Sequence, residues 1–132
     1  MAVEELERKL DDVRRRIETA AARSRRNARD ITLLAVTKKF PASVIVEAYE
    51  LGVRDFGENY VQEFEDKFPE LAALQDARFH LIGHLQSNKS KIAAALFQVI
   101  QTVDSAKLAR RLDAEGKALD VMIEVKLSPE DS

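Results

Sequence analysis

A lysine at the end of an apolar run is the first residue of this chain that could do covalent chemistry. Lys38 follows Ile31-Thr32-Leu33-Leu34-Ala35-Val36-Thr37 and precedes Lys39-Phe40-Pro41. The run is β-branched and apolar along most of its length, as a strand buried on both faces is, and Pro41 can open a helix three residues later. Lys38 is therefore expected at the C-terminal end of a strand, the edge where α/β proteins bind ligands. A partly desolvated lysine there gives up its proton more readily and can form a Schiff base with a carbonyl compound. A solvated lysine that merely finishes a strand is the competing reading.

Two further segments carry polar groups that such an edge could use. Asn59, in Gly57-Glu58-Asn59-Tyr60, can cap a helix through about residue 74 or exchange hydrogen bonds with a ligand. His80 opens His80-Leu81-Ile82-Gly83-His84-Leu85-Gln86-Ser87-Asn88-Lys89. Inside an apolar strand it is either a hydrogen-bonded core histidine or, facing a barrel mouth, a ring that stacks on an aromatic cofactor. His80 and His84 are not on a helix and lack a nearby third ligand, so a metal site is not expected. Gln86, Asn88 and Lys89 cluster where a helix should begin, a place suited to an anion. No Gly-rich phosphate loop, Walker pattern or nucleophile elbow is present.

The elements that must position these residues follow a simple rhythm. Val3, Leu6, Leu10, Val13, Ile17 and Ala20 recur at steps of three and four, which predicts an amphipathic helix over roughly residues 1–28. Its arginines are interleaved with Glu4, Glu5, Glu7, Asp11, Asp12 and Glu18, the pattern of a solvated face. Strands are then expected at 31–37, 53–57, 78–83, 97–103 and 119–127. Helices between them start near Pro41, Asn59, Ser87 or Asn88, and Asp104 or Ser105, with Gly52 closing the first of these. Strands separated by helices pair in parallel through right-handed crossovers. The fold class is α/β, a single domain over 1–132: parallel βα units that are either about five of the eight strands of a TIM-like barrel or a smaller open sheet with strands 1 and 5 as edges.

Composition narrows the function classes. The 132 residues carry 21 basic and 23 acidic side chains, a net charge of -2, which argues against a dedicated nucleic-acid surface or a polybasic membrane anchor. With no cysteine, disulfides, Cys-based metal sites and Cys nucleophiles are excluded. The N-terminus lacks an apolar signal core and no stretch reaches membrane-spanning length, so a cytoplasmic protein is expected.

Taken together and in order, Ala35-Val36-Thr37-Lys38, Phe56-Gly57-Glu58-Asn59-Tyr60-Val61-Gln62-Glu63 and the segment 79–89 are far more specific than any one part. With Thr102-Val103-Asp104-Ser105 and Ile123-Glu124-Val125, this set closely resembles the pyridoxal phosphate homeostasis protein family, from about residue 5 to the end. The resemblance implies an alanine-racemase-like N-terminal barrel that binds pyridoxal 5'-phosphate (PLP) as a Schiff base on Lys38, with Asn59 and His80 near the cofactor. It further implies no established turnover, a role in keeping free PLP at a safe level, and PLP-accepting apo-enzymes as partners. Alternatives of other classes are the N-terminal part of a PLP-dependent racemase or decarboxylase, which needs a second acid/base group, and a half-barrel that binds nothing. The chain departs from the family in length: the family's phosphate-binding Ser, Gly and Arg have no counterpart in residues 1–132. If truncated, the exposed edges favour self-association.

Overall fold

The computed structural model describes residues 2–129. Five strands alternate with helices and form one parallel sheet in the order of the sequence, β1 (Leu34–Val36), β2 (Asp55–Glu58), β3 (Arg78–Leu81), β4 (Val99–Val103) and β5 (Asp120–Ile123). The helices are α1 (Val3–Arg23), α2 (Ala42–Glu50), α3 (Val61–Lys67), α4 (Ser90–Leu96) and α5 (Ala106–Asp113). The arrangement is the expected α/β series of βα units, an arc of a TIM-like barrel. Among the described residues, no helix is long and apolar enough to cross a membrane.

Strand alternation divides the sheet into two unlike faces. One face turns to the helices: Phe56 and Phe79 stack at 5.7 Å between ring centroids, and Phe64 of α3 meets Phe79 at 4.8 Å and Phe97 at 4.7 Å. Ile45, Leu81, Ala93 and Ile100 complete this buried layer. The opposite face carries Val36, Gly57, His80 and Gln101, related by the register Val36↔Gly57↔His80↔Val99. It is open, and Val36 is 48% exposed there. In a closed barrel this face is the interior.

The N-terminal helix stops earlier than the expected 1–28. Ser24 Oγ donates to the carbonyls of Ala20 and Ala21, and Arg25 takes a left-handed conformation (φ 58°) that turns the chain out of the helix. Asn27 then caps a separate 3₁₀ turn, Ala28–Asp30. Leu10 and Ala21, not Ala20, are the buried residues of α1. Its polar face is not wholly solvated: Arg14 reaches α2 and donates to the carbonyl of Leu51 at 2.9 Å, satisfying a helix C-terminus. Gly52, just beyond, has the positive φ (98°) that ends α2 as expected.

Other boundaries moved by a few residues. The apolar run 31–37 yields only three strand residues, and β5 only four. Ser105 caps α5 by accepting from the Leu108 N–H at 3.1 Å. Neither Ser87 nor Asn88 caps α4; they lie in a 3₁₀ turn, Ser87–Lys89, and the helix follows Lys89 without a side-chain cap.

Candidate functional site

The C-terminal ends of β1, β2 and β3 lie side by side, and the loops leaving them carry most of the residues singled out above. β1 ends at Val36, and Thr37 adds one more ladder bond, its N–H donating to the Gly57 carbonyl at 2.9 Å. The chain then turns sharply. The Phe40 N–H donates to the Thr37 carbonyl at 3.1 Å, and Lys39 has φ 66°, the form of a type II turn with Lys38 and Lys39 at its two central positions. Lys38 is exposed in this turn, not partly buried in the strand, because the strand ends two residues earlier.

Beneath the turn is a buried ionic cluster that the sequence did not announce. Glu58, the last residue of β2, is 0% exposed. It accepts from Thr37 Oγ1 at 2.5 Å and from Lys67 Nζ at 2.9 and 3.1 Å. Lys67 Nζ also donates to the Thr37 carbonyl at 3.0 Å and pairs with Glu63 at 3.2 Å. Glu63 in turn accepts from the Lys39 N–H. Burial pushes the Glu63 carboxyl up, but the Lys39 N–H and the Lys67 ammonium outweigh it and hold the group below the usual carboxylate range. The one available signal was spacing, since Glu63 and Lys67 are four apart on α3; that Glu58 points to the same side follows only once α3 is docked.

Asn59 is half-buried and does not cap α3; Tyr60, in extended conformation, is the N-cap residue and gives no side-chain bond. Asn59 instead helps line a cleft of about 520 Å³ with Tyr60, His84, Gln86 and Lys89, between the loops after β2 and β3. The two loops touch at Gly83: a Cβ there would lie 2.1 Å from the Asn59 carbonyl oxygen, and the Gly83 carbonyl accepts from Thr102 at 2.7 Å. Gly83→Ala is therefore expected to force the loops apart, costing about 1–3 kcal/mol as overpacking does. Equilibrium denaturation checks this, and an unchanged midpoint would show that the contact is soft.

His80 is buried on the open face of the sheet, with both ring nitrogens engaged. Nε2 donates to Asp55 Oδ1 at 2.8 Å, and Nδ1 accepts from Gln101 Nε2 at 3.0 Å. Its hydrogen bonds are those of the first reading, while its place on the open face, the interior of a closed barrel, is that of the second. It lies level with Val36, two residues before Lys38 in the chain. Lys38, Asn59 and His80 thus occupy one end of one sheet, but only Asn59 lines the cleft.

A parallel βα sheet with its polar residues and lysine-bearing turn at the strand C-termini defines a protein of the TIM-like barrel class. No family model matches the sequence. Curated relatives do: the pyridoxal phosphate homeostasis protein of Escherichia coli K12 is 46% identical over 130 residues, covering 93% of this chain and 55% of the relative. That of Haemophilus influenzae is 40% identical over 132 residues, covering 96% and 56%. Among solved structures, PipY of Synechococcus elongatus PCC7942 with PLP bound superposes with a TM-score of 0.72 at 43% identity, covering 86% of this chain and 55% of that one. A protein of unknown function from Bifidobacterium adolescentis superposes with a TM-score of 0.87 at 34% identity, covering 98% and 58%. The chain belongs to the pyridoxal phosphate homeostasis protein family and corresponds to its N-terminal portion. It spans a little over half the length of these relatives.

Proposed function

We propose that this chain binds PLP at the C-terminal mouth of the sheet through a Schiff base on Lys38, as part of PLP homeostasis. The observation that carries the reading is PipY, which is 43% identical and has PLP bound. The residues fit such a ligand: an exposed primary amine stands in a turn whose flanking residues are both anchored, beside loops bearing Asn59, Gln86 and Lys89. PLP supplies an aldehyde. Lys38 Nζ, once deprotonated, adds to the aldehyde carbon and water leaves. Asn59 is placed to hydrogen-bond a ligand entering the cleft, and His80, its ring nitrogens engaged by Asp55 and Gln101, offers its ring face to an aromatic ligand from the open face of the sheet. In this reading the protein is a binder and carrier without turnover. Its partners are cytoplasmic apo-enzymes that take up the released cofactor.

Borohydride reduction after PLP addition, followed by peptide mapping, is expected to place the label on Lys38. Lys38→Ala should remove the imine absorbance while changing stability by less than about 0.5 kcal/mol, as for other exposed substitutions. A label mainly on Lys39, or scattered over surface lysines, would sink the assignment.

A further inference from the structure

The bonds of the ionic cluster beneath the Lys38 turn converge on the two residues that flank Lys38. Thr37 is held at three points: its N–H by Gly57, its hydroxyl by Glu58 and its carbonyl by Lys67. Lys39 is held at its N–H by Glu63. Lys38 itself makes none of these bonds. Lys39 also has a backbone conformation suited to glycine or asparagine at that position of a type II turn, so the turn persists because its surroundings impose it.

We propose that Glu63 and Lys67 are positioning residues, which fix the 37–40 turn in the form that presents the Lys38 amine to the carbonyl ligand and ties Lys39 back. The proposal rests on the reading of Lys38 as the imine-forming residue. Four acceptor contacts, to Thr37, Glu63 and both oxygens of Glu58, surround the three N–H bonds of Lys67, so its ammonium has no donor left over and acts as a strut. Glu63 is the link from that strut to the far side of the turn. Without it, Lys39 loses the bond that offsets its positive φ, and the turn can relax so that either lysine swings outward.

The decisive variant is Glu63→Ala, because Glu63 is partly exposed and Lys67 keeps Glu58 as a partner, so the fold is retained. Two readouts are taken: exchange of the Lys39 amide hydrogen by NMR, and the rate of borohydride-trapped PLP labelling at Lys38 and Lys39. Glu63→Ala should raise Lys39 amide exchange and slow Lys38 labelling by about tenfold each, the scale of one hydrogen bond to a charged acceptor. Label should move toward Lys39. Glu63→Gln, which still offers a carbonyl oxygen to the Lys39 N–H, should restore most of both. Glu63→Ala paired with Lys39→Gly should also restore labelling at Lys38, because glycine adopts the positive φ without help. Wild-type exchange and labelling in Glu63→Ala overturn the proposal, as does failure of both rescues. A wild-type chain with a protected Lys39 amide but no PLP label at Lys38 overturns the functional reading, and with it the use assigned to the strut. A wild-type Lys39 amide that exchanges freely overturns the strut alone.

Discussion

Lys67→Met is expected to lower the stability of the chain by about 3–5 kcal/mol, the cost of leaving a buried charge without its counterion. Glu58 is completely buried and would retain only the Thr37 hydroxyl as a partner. Methionine fills much of the lysine stem's volume, so the loss reports the ammonium more than the packing. For a domain of this size the melting temperature should fall by about 10 °C or more. Adding Glu58→Gln in the same chain should recover part of the loss, because the orphaned charge is then gone. A fall below about 1 kcal/mol in the single variant would mean that water takes the place of the ammonium, and that the cluster is wetter than its geometry indicates.

The 132-residue chain is expected to bind PLP weaker by orders of magnitude than a full-length relative. TIM-like barrels frequently hold phosphate with the loops after strands 7 and 8, and the described residues of this chain contain five strands. Charge-assisted hydrogen bonds to a phosphate are worth about 1.5–3 kcal/mol each, and each 1.4 kcal/mol is tenfold in affinity. The same chain should associate with a second copy, because β5 is exposed along its whole length. Ile123 is 76% exposed, and an apolar groove of about 210 Å³ runs between α5 and β5 beside Leu112, Leu119 and Val121. Absorbance titration alongside light scattering examines both parts. A tight stoichiometric complex from a strictly monomeric chain would show that residues within 1–132 already build a sufficient phosphate site.

What could be read from the sequence was what local chemistry decides. The alternation of apolar runs with 3.6-periodic segments was enough for the parallel βα order, Gly52 marked the end of α2, and Ser105 marked the start of α5. The position of Lys38 past the first strand was legible for the same reason. Its exposure was not, since the apolar run 31–37 gives no sign that pairing with β2 lapses soon after Val36. The cluster of Glu58, Lys67 and Thr37 was invisible because a buried ion pair is a property of two docked elements, and the sequence of either element reads as an ordinary charged surface. Of the two readings of Asn59, the cap does not hold, since α3 begins after Tyr60, and the close approach of the Asn59 carbonyl to Gly83 is again a contact between two docked loops that neither segment announces. Phe97, expected in a strand, instead closes α4 and fills the aromatic cluster from the helix end.

Spatial order in this sheet repeats chain order, and that has a kinetic meaning. Every strand pairs with the strand next to it in sequence, so each pairing closes over a single helical crossover. Such an architecture behaves like a zipper with a start and an end. β2, β3 and β4 have neighbours on both sides, while β1 is paired only with β2 and β5 only with β4, and the side chains of β5 are exposed on both faces. Of the two outer strands β5 should open first, because its side chains are exposed while the turn after β1 is bonded to Glu58 and Glu63, and opening should travel inward as a graded series of partly open states with the aromatic cluster at Phe56, Phe64, Phe79 and Phe97 as the last unit to yield. The Lys38 turn follows an outer strand too, but it is tied to β2 and α3 through Glu58 and Glu63, so the binding end of the molecule outlives the loss of its fifth strand.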